Sequence, residues 1–393
     1  MKRIAICCDG TWNRLDAANV TNVVRVAEAI DAHSDDGTHQ IVYYDEGVGS
    51  GAAVAGRIDR FLGGAFGSGL MHKVEQAYRF LVFNYEPGDE IYIFGFSRGA
   101  FTARSLAGLI RNCGIVQQSQ GRRLRQALDL YRQRDGSGHP DADESCRFRS
   151  EVSPAVYLNA RELAWRRQNV PTFDEEKCLP IRLRYVGVWD TVGALGVPNH
   201  FWISGIFNKS SRFHDEKLSS TVESARHAVA IDEFRRSYEP SLWDNLDLLN
   251  ESANPAAKQT GAQYQQSWFP GDHSSIGGGG DTTAHSSAAL IWIAEGAQAV
   301  GLKFREEALE TARMEVDHLG SLRSHNSPGL LARIMSKNSR TGPSLVEDVS
   351  QAARLRWQAV AEDLPENALY RPKPLVLLTN HLDRLSSEKS IKY

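Results

Sequence analysis

Short apolar runs along this chain are each followed by a polar or glycine-rich loop, and stretches with helical spacing lie between them. RIAICC (3–8) leads into DGTWN, IVYYDE (41–46) into GVGSG and EIYIFG (90–95) into FSRGA. IRLRYVGVWD (181–190) leads into TVGALG, and AQYQQSWFPG (262–271) into DHSSIGGGG. These runs are rich in β-branched and aromatic residues and are bounded by turn residues, which predicts strands. Helical spacing predicts helices over 20–33, roughly 56–84, 98–113 and 287–300. Strands alternating with helices predict a mostly parallel sheet covered by helices on both faces. In such sheets chemistry gathers in the loops beyond the carboxyl ends of the strands, where each of these polar motifs stands. SARHAVAIDEF (224–234) reads instead as helical, which puts His227 outside any strand-end loop.

The alternation breaks at 117–180, where QGRRLRQALDLYRQRD and RELAWRRQN read as exposed arginine-rich helices around a polar stretch, HPDADESC. This predicts a helical insertion or cap within a domain spanning 1–300. Residues 301–393, a short helix, a Ser/Asn/Gly-rich loop and a proline-containing tail, are expected to pack on that domain as an extension. Five arginines face two aspartates in 121–135, which would suit peripheral contact with anionic headgroups or an acidic partner. The alternative is an ordinary solvated helix face.

Composition changes this picture little. With 41% hydrophobic residues, 24% charged residues and a formal net charge of −3, nothing global points to nucleic acid or an anionic surface. Five cysteines without metal-ligand spacing (Cys7, Cys8, Cys113, Cys146, Cys178) read as reduced and buried. The apolar run after Met1 ends at Asp9, too short for a signal peptide, and no run approaches the ~20 apolar residues of a membrane span. A cytoplasmic protein is expected, with export by a signal-independent route left open.

Candidate chemistry centres on Gly95-Phe96-Ser97-Arg98-Gly99, a G-x-S-x-G between a strand pattern and a helix pattern. That context matches a nucleophile elbow, in which the serine sits on a tight turn and side chains at the two glycine positions would collide with neighbouring elements; the alternative is a purely structural turn. A serine hydroxyl attacks only if a histidine takes its proton and a carboxylate orients that histidine. Elbow hydrolases place these in the order Ser, Asp or Glu, His, each after a strand. Asp190 follows Ser97 by 93 residues (190 − 97), and His273 follows Asp190 by 83 (273 − 190), both at strand ends. His200 and His285 are the remaining rivals for the base, and Asp272 and Asp281 the rivals for the acid. For the oxyanion hole, the amide of Arg98 is one expected donor and the Gly10–Thr11 loop the other. Asp9 would fix that loop through hydrogen bonds or contact a ligand.

Other chemistries are less well supplied. CCDGTW has Cys7 where D-x-D-G-T phosphatases need their nucleophilic aspartate, and neither G-x-G-x-x-G nor G-K-[ST] is completed. Asp9, Asp45, Glu46, Asp190, Asp272 and Asp281 with His273 offer an oxygen-rich metal site as an alternative, but no compact ligand motif is present. The expectation is therefore no cofactor and no metal.

Taken in order, CDGTWN, YYDEGVG, GFSRGAFTARSLAGLI, VGVWDTVGALG, RHAVAIDEFRRSYEP and WFPGDHSSIGGG resemble the α/β-hydrolase-like domain family that includes phospholipase effectors of bacterial type VI secretion. The resemblance covers residues 3 to about 300. It implies an α/β-hydrolase fold and, for effector members, cleavage of acyl esters in glycerophospholipids by a Ser-Asp-His triad matching Ser97, Asp190 and His273. It also leaves room for an immunity or chaperone partner. The family often has an aspartate where this chain has Ser275, so any role of that carboxylate is absent or passes to Asp272 or Asp281. The expected function is a serine hydrolase acting on a lipid or other ester. A non-catalytic lipid- or protein-binding member of the fold, or a metal-dependent hydrolase, are the alternatives.

Overall fold

The structure is a computed structural model, and it describes residues 1–10, 13–47, 65–133, 138–193, 217–235, 238–253, 263–322 and 339–390. Its centre is a six-stranded sheet of β1 (Arg3–Cys8), β2 (Gln40–Asp45), β3 (Glu90–Phe96), β6 (Arg182–Trp189), β7 (Ala225–Ala230) and β8 (Tyr264–Phe269). The order is β2-β1-β3-β6-β7-β8 and every pairing is parallel. Two short strands, β4 (Val156–Tyr157) and β5 (Leu179–Pro180), form a separate parallel ribbon. This is the α/β fold that the strand–helix alternation predicted.

Every residue of β1 and β3 is buried, as expected of central strands covered on both faces. Strand alternation sorts their side chains. Ile4, Ile6, Cys8, Ile91 and Ile93 face the cluster built on α2 (Ala65–Asn84) and α3 (Arg98–Cys113). Ala5, Cys7, Tyr92, Phe94 and Phe96 face α1 (Asn22–Ala29). The expected helix at 20–33 is shorter because Ile30 is already extended and bridges Phe304. All five cysteines are free and buried.

Residues 225–230 correct the helical reading of SARHAVAIDEF. They form β7, and their periodicity misled because a strand buried on both faces reads as a continuous apolar run. His227 is fully buried there, its Nδ1 2.9 Å from Gln266 Oε1 and its Nε2 accepting from the Thr191 amide at 3.2 Å.

The insertion is helical, with α4 (Leu124–Arg132), α5 (Asp143–Val152) and α6 (Ala160–Asn169). It lies along the second half of α3 and the end of α2, where Gly108 meets Tyr131 and Arg149 Nη1 donates to Asn112 O at 2.9 Å. These contacts are at the end of α3 away from Ser97. Its arginines are not all solvated, which corrects the reading of RELAWRRQN. Arg166 and Arg149 are buried and clamp the buried Glu162, with Nε–Oε distances of 2.9 and 2.8 Å. Removing one member of such a buried cluster costs about 3–5 kcal/mol.

Further α-helices among the described residues are α7 (Leu246–Ser252), α8 (His273–Gly277), α9 (Ala284–Ala299), α10 (Glu306–Glu315), α11 (Gln351–Gln358) and α12 (Thr379–Ser390). Helix α9 joins α1 on its face of the sheet. Beyond residue 339, Val349, Ala353, Trp357, Tyr370 and Leu375 share a core with Val229, Ile231 and Trp268 of the β7–β8 edge.

Candidate active site

The chain leaves β1 in one direction for β2 and then crosses back to β3, so the loops after β1 and β3 diverge from adjacent strands. That divergence is the place where an open parallel sheet offers a crevice. Asp9 follows β1, Ser97 follows β3, Asp190 follows β6 and His273 follows the edge strand β8.

Ser97 has φ 58° and ψ −122°, a strained backbone for a residue with a side chain, between β3 and the first residue of α3. The flanking glycines make the turn feasible. A Cβ on Gly95 would lie 2.5 Å from Gly99 O, and one on Gly99 would lie 2.1 Å from Cys8 O and 2.4 Å from Asp9 O. All are backbone atoms that cannot rotate away.

The turn aims the hydroxyl at His273. Ser97 Oγ and His273 Nε2 are 2.8 Å apart, and His273 Nδ1 and Asp190 Oδ2 are 2.6 Å apart. Ser97 and His273 are almost fully buried and Asp190 entirely so. The His273 ring lies 4.6 Å from the Phe96 ring and meets the edge of the Tyr238 ring at 4.6 Å. Asp190 itself has a positive φ of 37°.

Burial by itself would raise the Asp190 pKa. The charge of Arg340, with hydrogen bonds from His273 and Arg340, overrides it and holds the carboxyl far below the usual range. Arg340 was not foreseen. Its Nη1 donates to Asp190 Oδ1 at 2.5 Å and its Nη2 to Oδ2 at 2.9 Å. A single arginine 150 residues from Asp190, in a segment without a motif, carries no sequence signal that could have found it.

The other sequence candidates sort by position. Asp272 caps α8, its Oδ1 accepting from Ser275 N at 3.0 Å, Ser275 Oγ at 2.9 Å and Ser274 Oγ at 3.0 Å. Asp281 is exposed, four residues beyond the end of α8. His285 is buried in α9, with Nε2 3.0 Å from Gly320 O. His200 lies outside the described residues. Asp9 is buried and holds its loop, accepting from Asn13 Nδ2 at 3.1 Å, Thr21 Oγ1 at 2.7 Å and Tyr44 OH at 2.9 Å. It also accepts from the Gly10 amide at 2.6 Å. That amide is thereby engaged, so Gly10 is not the open oxyanion donor its position suggested, and Thr11 lies outside the described residues. Arg98 is the first residue of α3, directly after Ser97. Among the described residues no three His, Cys, Asp or Glu side chains could hold a metal ion.

Residues 2–296 match the family model described as "T6SS, Phospholipase effector Tle1-like, catalytic domain". The chain belongs to this Tle1-like family. An uncharacterized protein of Saccharomyces cerevisiae is 27% identical over 258 residues, covering 63% of this chain and 33% of that protein. The chain thus spans about a third of the length of this curated relative. An uncharacterized Pseudomonas aeruginosa protein of known structure is 14% identical with a TM-score of 0.42, over 99% of this chain and 59% of that one. The structure of the Tle1 effector bound to the VgrG spike of the type 6 secretion system is 17% identical with a TM-score of 0.35, over 70% and 51%. Arg340 lies beyond the residues matched to the Tle1-like domain.

Proposed function

We propose that this Tle1-like chain is a serine hydrolase that cleaves carboxylic esters of a phospholipid or related lipid. The observation that carries the reading is the line from Ser97 Oγ through His273 to Asp190, with contacts of 2.8 and 2.6 Å, at a serine strained to φ 58°. In this reading His273 Nε2 takes the Ser97 proton as Oγ attacks the ester carbonyl, and the collapsing intermediate expels the alcohol with that proton. Water then attacks the acyl-serine, giving its proton to His273, and as the second intermediate collapses that proton passes to the departing Ser97 Oγ and the acid is released. Asp190 holds the imidazole tautomer and offsets the charge it gains. The Arg98 amide offers one oxyanion donor, with the second expected from the loop after β1.

Serine chemistry rests on the geometry, and the lipid on family membership. The family's association with type VI secretion supports export without a signal peptide. In the same reading residues 301–393 belong to the folding unit of the catalytic domain. The test is hydrolysis of phospholipid vesicles and of a short-chain ester by wild type and Ser97→Ala. The substitution should lower kcat on the order of 10⁶-fold, and a fluorophosphonate should modify Ser97 in the wild type. A folded Ser97→Ala protein with full activity, or a folded wild type inert to the probe, would overturn the proposal.

A further inference from the structure

Asp190 makes four close polar contacts, only one of them with His273. Oδ1 accepts from the Ala230 amide at 2.9 Å and from Arg340 Nη1 at 2.5 Å, while Oδ2 accepts from Arg340 Nη2 at 2.9 Å and faces His273 Nδ1 at 2.6 Å. Arg340 is itself fixed, donating to Ala230 O at 2.7 Å and to Tyr238 O at 2.6 Å, and it is 5% exposed. One guanidinium therefore ties together the end of β7, the carboxylate after β6 and the residue whose ring flanks His273.

The segment that follows it is anchored to the domain. Gly342 abuts the backbone of Pro374, Val349 bridges Trp268 of β8, and Tyr370 OH donates to Asp232 Oδ2 at 2.8 Å. Arg340, Gly342, Val349, Tyr370 and Pro374 all lie beyond 296, the last residue matched to the family's catalytic domain, whereas Trp268 and Asp232, which receive them, lie within it.

We infer that Arg340 is a positioning residue for the Ser97–His273–Asp190 site, and that the C-terminal segment is thereby part of the catalytic apparatus rather than an appendage. This rests on the serine-hydrolase reading. The fork geometry fixes both carboxylate oxygens in one plane, which a lysine cannot reproduce.

The experiment uses the full chain and a short-chain ester. Arg340→Gln should lower kcat about 10- to 100-fold with KM little changed, the scale of a misplaced catalytic group. Arg340→Lys, which keeps the charge but not the fork, should recover only part of that loss. In an Asp190→Asn background either substitution should add little further loss, because the residue acts through Asp190. If Arg340→Gln does not fold, Arg340→Lys in the two backgrounds carries the test by itself. A folded Arg340→Gln with wild-type kcat overturns the inference, as does an equal loss with and without Asp190. Fluorophosphonate labelling of wild-type Ser97 separates the two levels. Labelling with an indifferent Arg340 removes only this inference, whereas no labelling of a folded wild type removes the hydrolase reading and this inference with it.

Discussion

At Ser97 the backbone adopts a conformation that costs on the order of 1–3 kcal/mol, and its neighbours make that strain tolerable. Gly99 is the tighter of the flanking glycines, since an added Cβ would meet two carbonyl oxygens of the β1 end within 2.4 Å. Gly99→Ala should therefore push α3 away from β1 and lower the unfolding free energy by about 3 kcal/mol, read as a shifted urea midpoint. An unchanged midpoint would remove the steric account of the motif. The motif was legible in the sequence because its requirement is local, two small residues around a turn. Gly10 shows the limit of that local reading. Its position after β1 was legible, but the engagement of its amide by Asp9 is a matter of side-chain orientation that no spacing encodes.

At the scale of elements, His273 is the first residue of a five-residue helix, α8, too short to be stable by itself. Its start is held by Asp272, whose Oδ1 takes three hydrogen bonds from Ser274 and Ser275. Asn22 adds a tie from α1, donating to Ile276 O at 2.9 Å. Asp272→Ala should cost about 1 kcal/mol as a lost cap. It should also lower kcat more than it raises KM, because the loosened residue is the proposed base. Asp272→Asn keeps an acceptor and should retain most of the activity. Equal kinetics for Asp272→Ala and wild type would show that α8 needs no cap to hold His273. The strand–helix alternation made most elements readable, and β7 escaped because burial on both faces erased the period that distinguishes a strand from a helix.

For the whole molecule, buried titratable groups set an acid dependence of stability. Burial, reinforced by the charge of Arg104, pushes the His227 pKa down to about 3, and burial pushes His285 down to about 4. In the unfolded chain both titrate near 6.5. Below that pH the unfolded state binds protons that the folded state refuses, so these two groups make stability fall as pH drops toward 4. Asp232 opposes them. Burial raises its pKa to about 6, so the folded state takes up a proton first and gains stability as pH falls from about 6 to 4. His227→Gln removes one destabilising proton uptake by the unfolded chain. Relative to wild type, the variant should gain melting temperature as pH goes from 7.5 to 5, and a pH-independent difference would show that His227 titrates normally in the fold.

What the sequence by itself determined is whatever depends on neighbours along the chain. The α/β alternation, the elbow around Ser97 and the strand-end placement of Asp190 and His273 all follow from patterns a few residues long. What only the tertiary structure decided is which distant groups meet. The insertion buries Arg149 and Arg166 against Glu162, the loop after β1 turns its amide toward Asp9, and Arg340 arrives from beyond the matched domain to clamp Asp190. The physical reason is that a buried charge requires a partner of opposite sign without specifying where in the chain that partner lies.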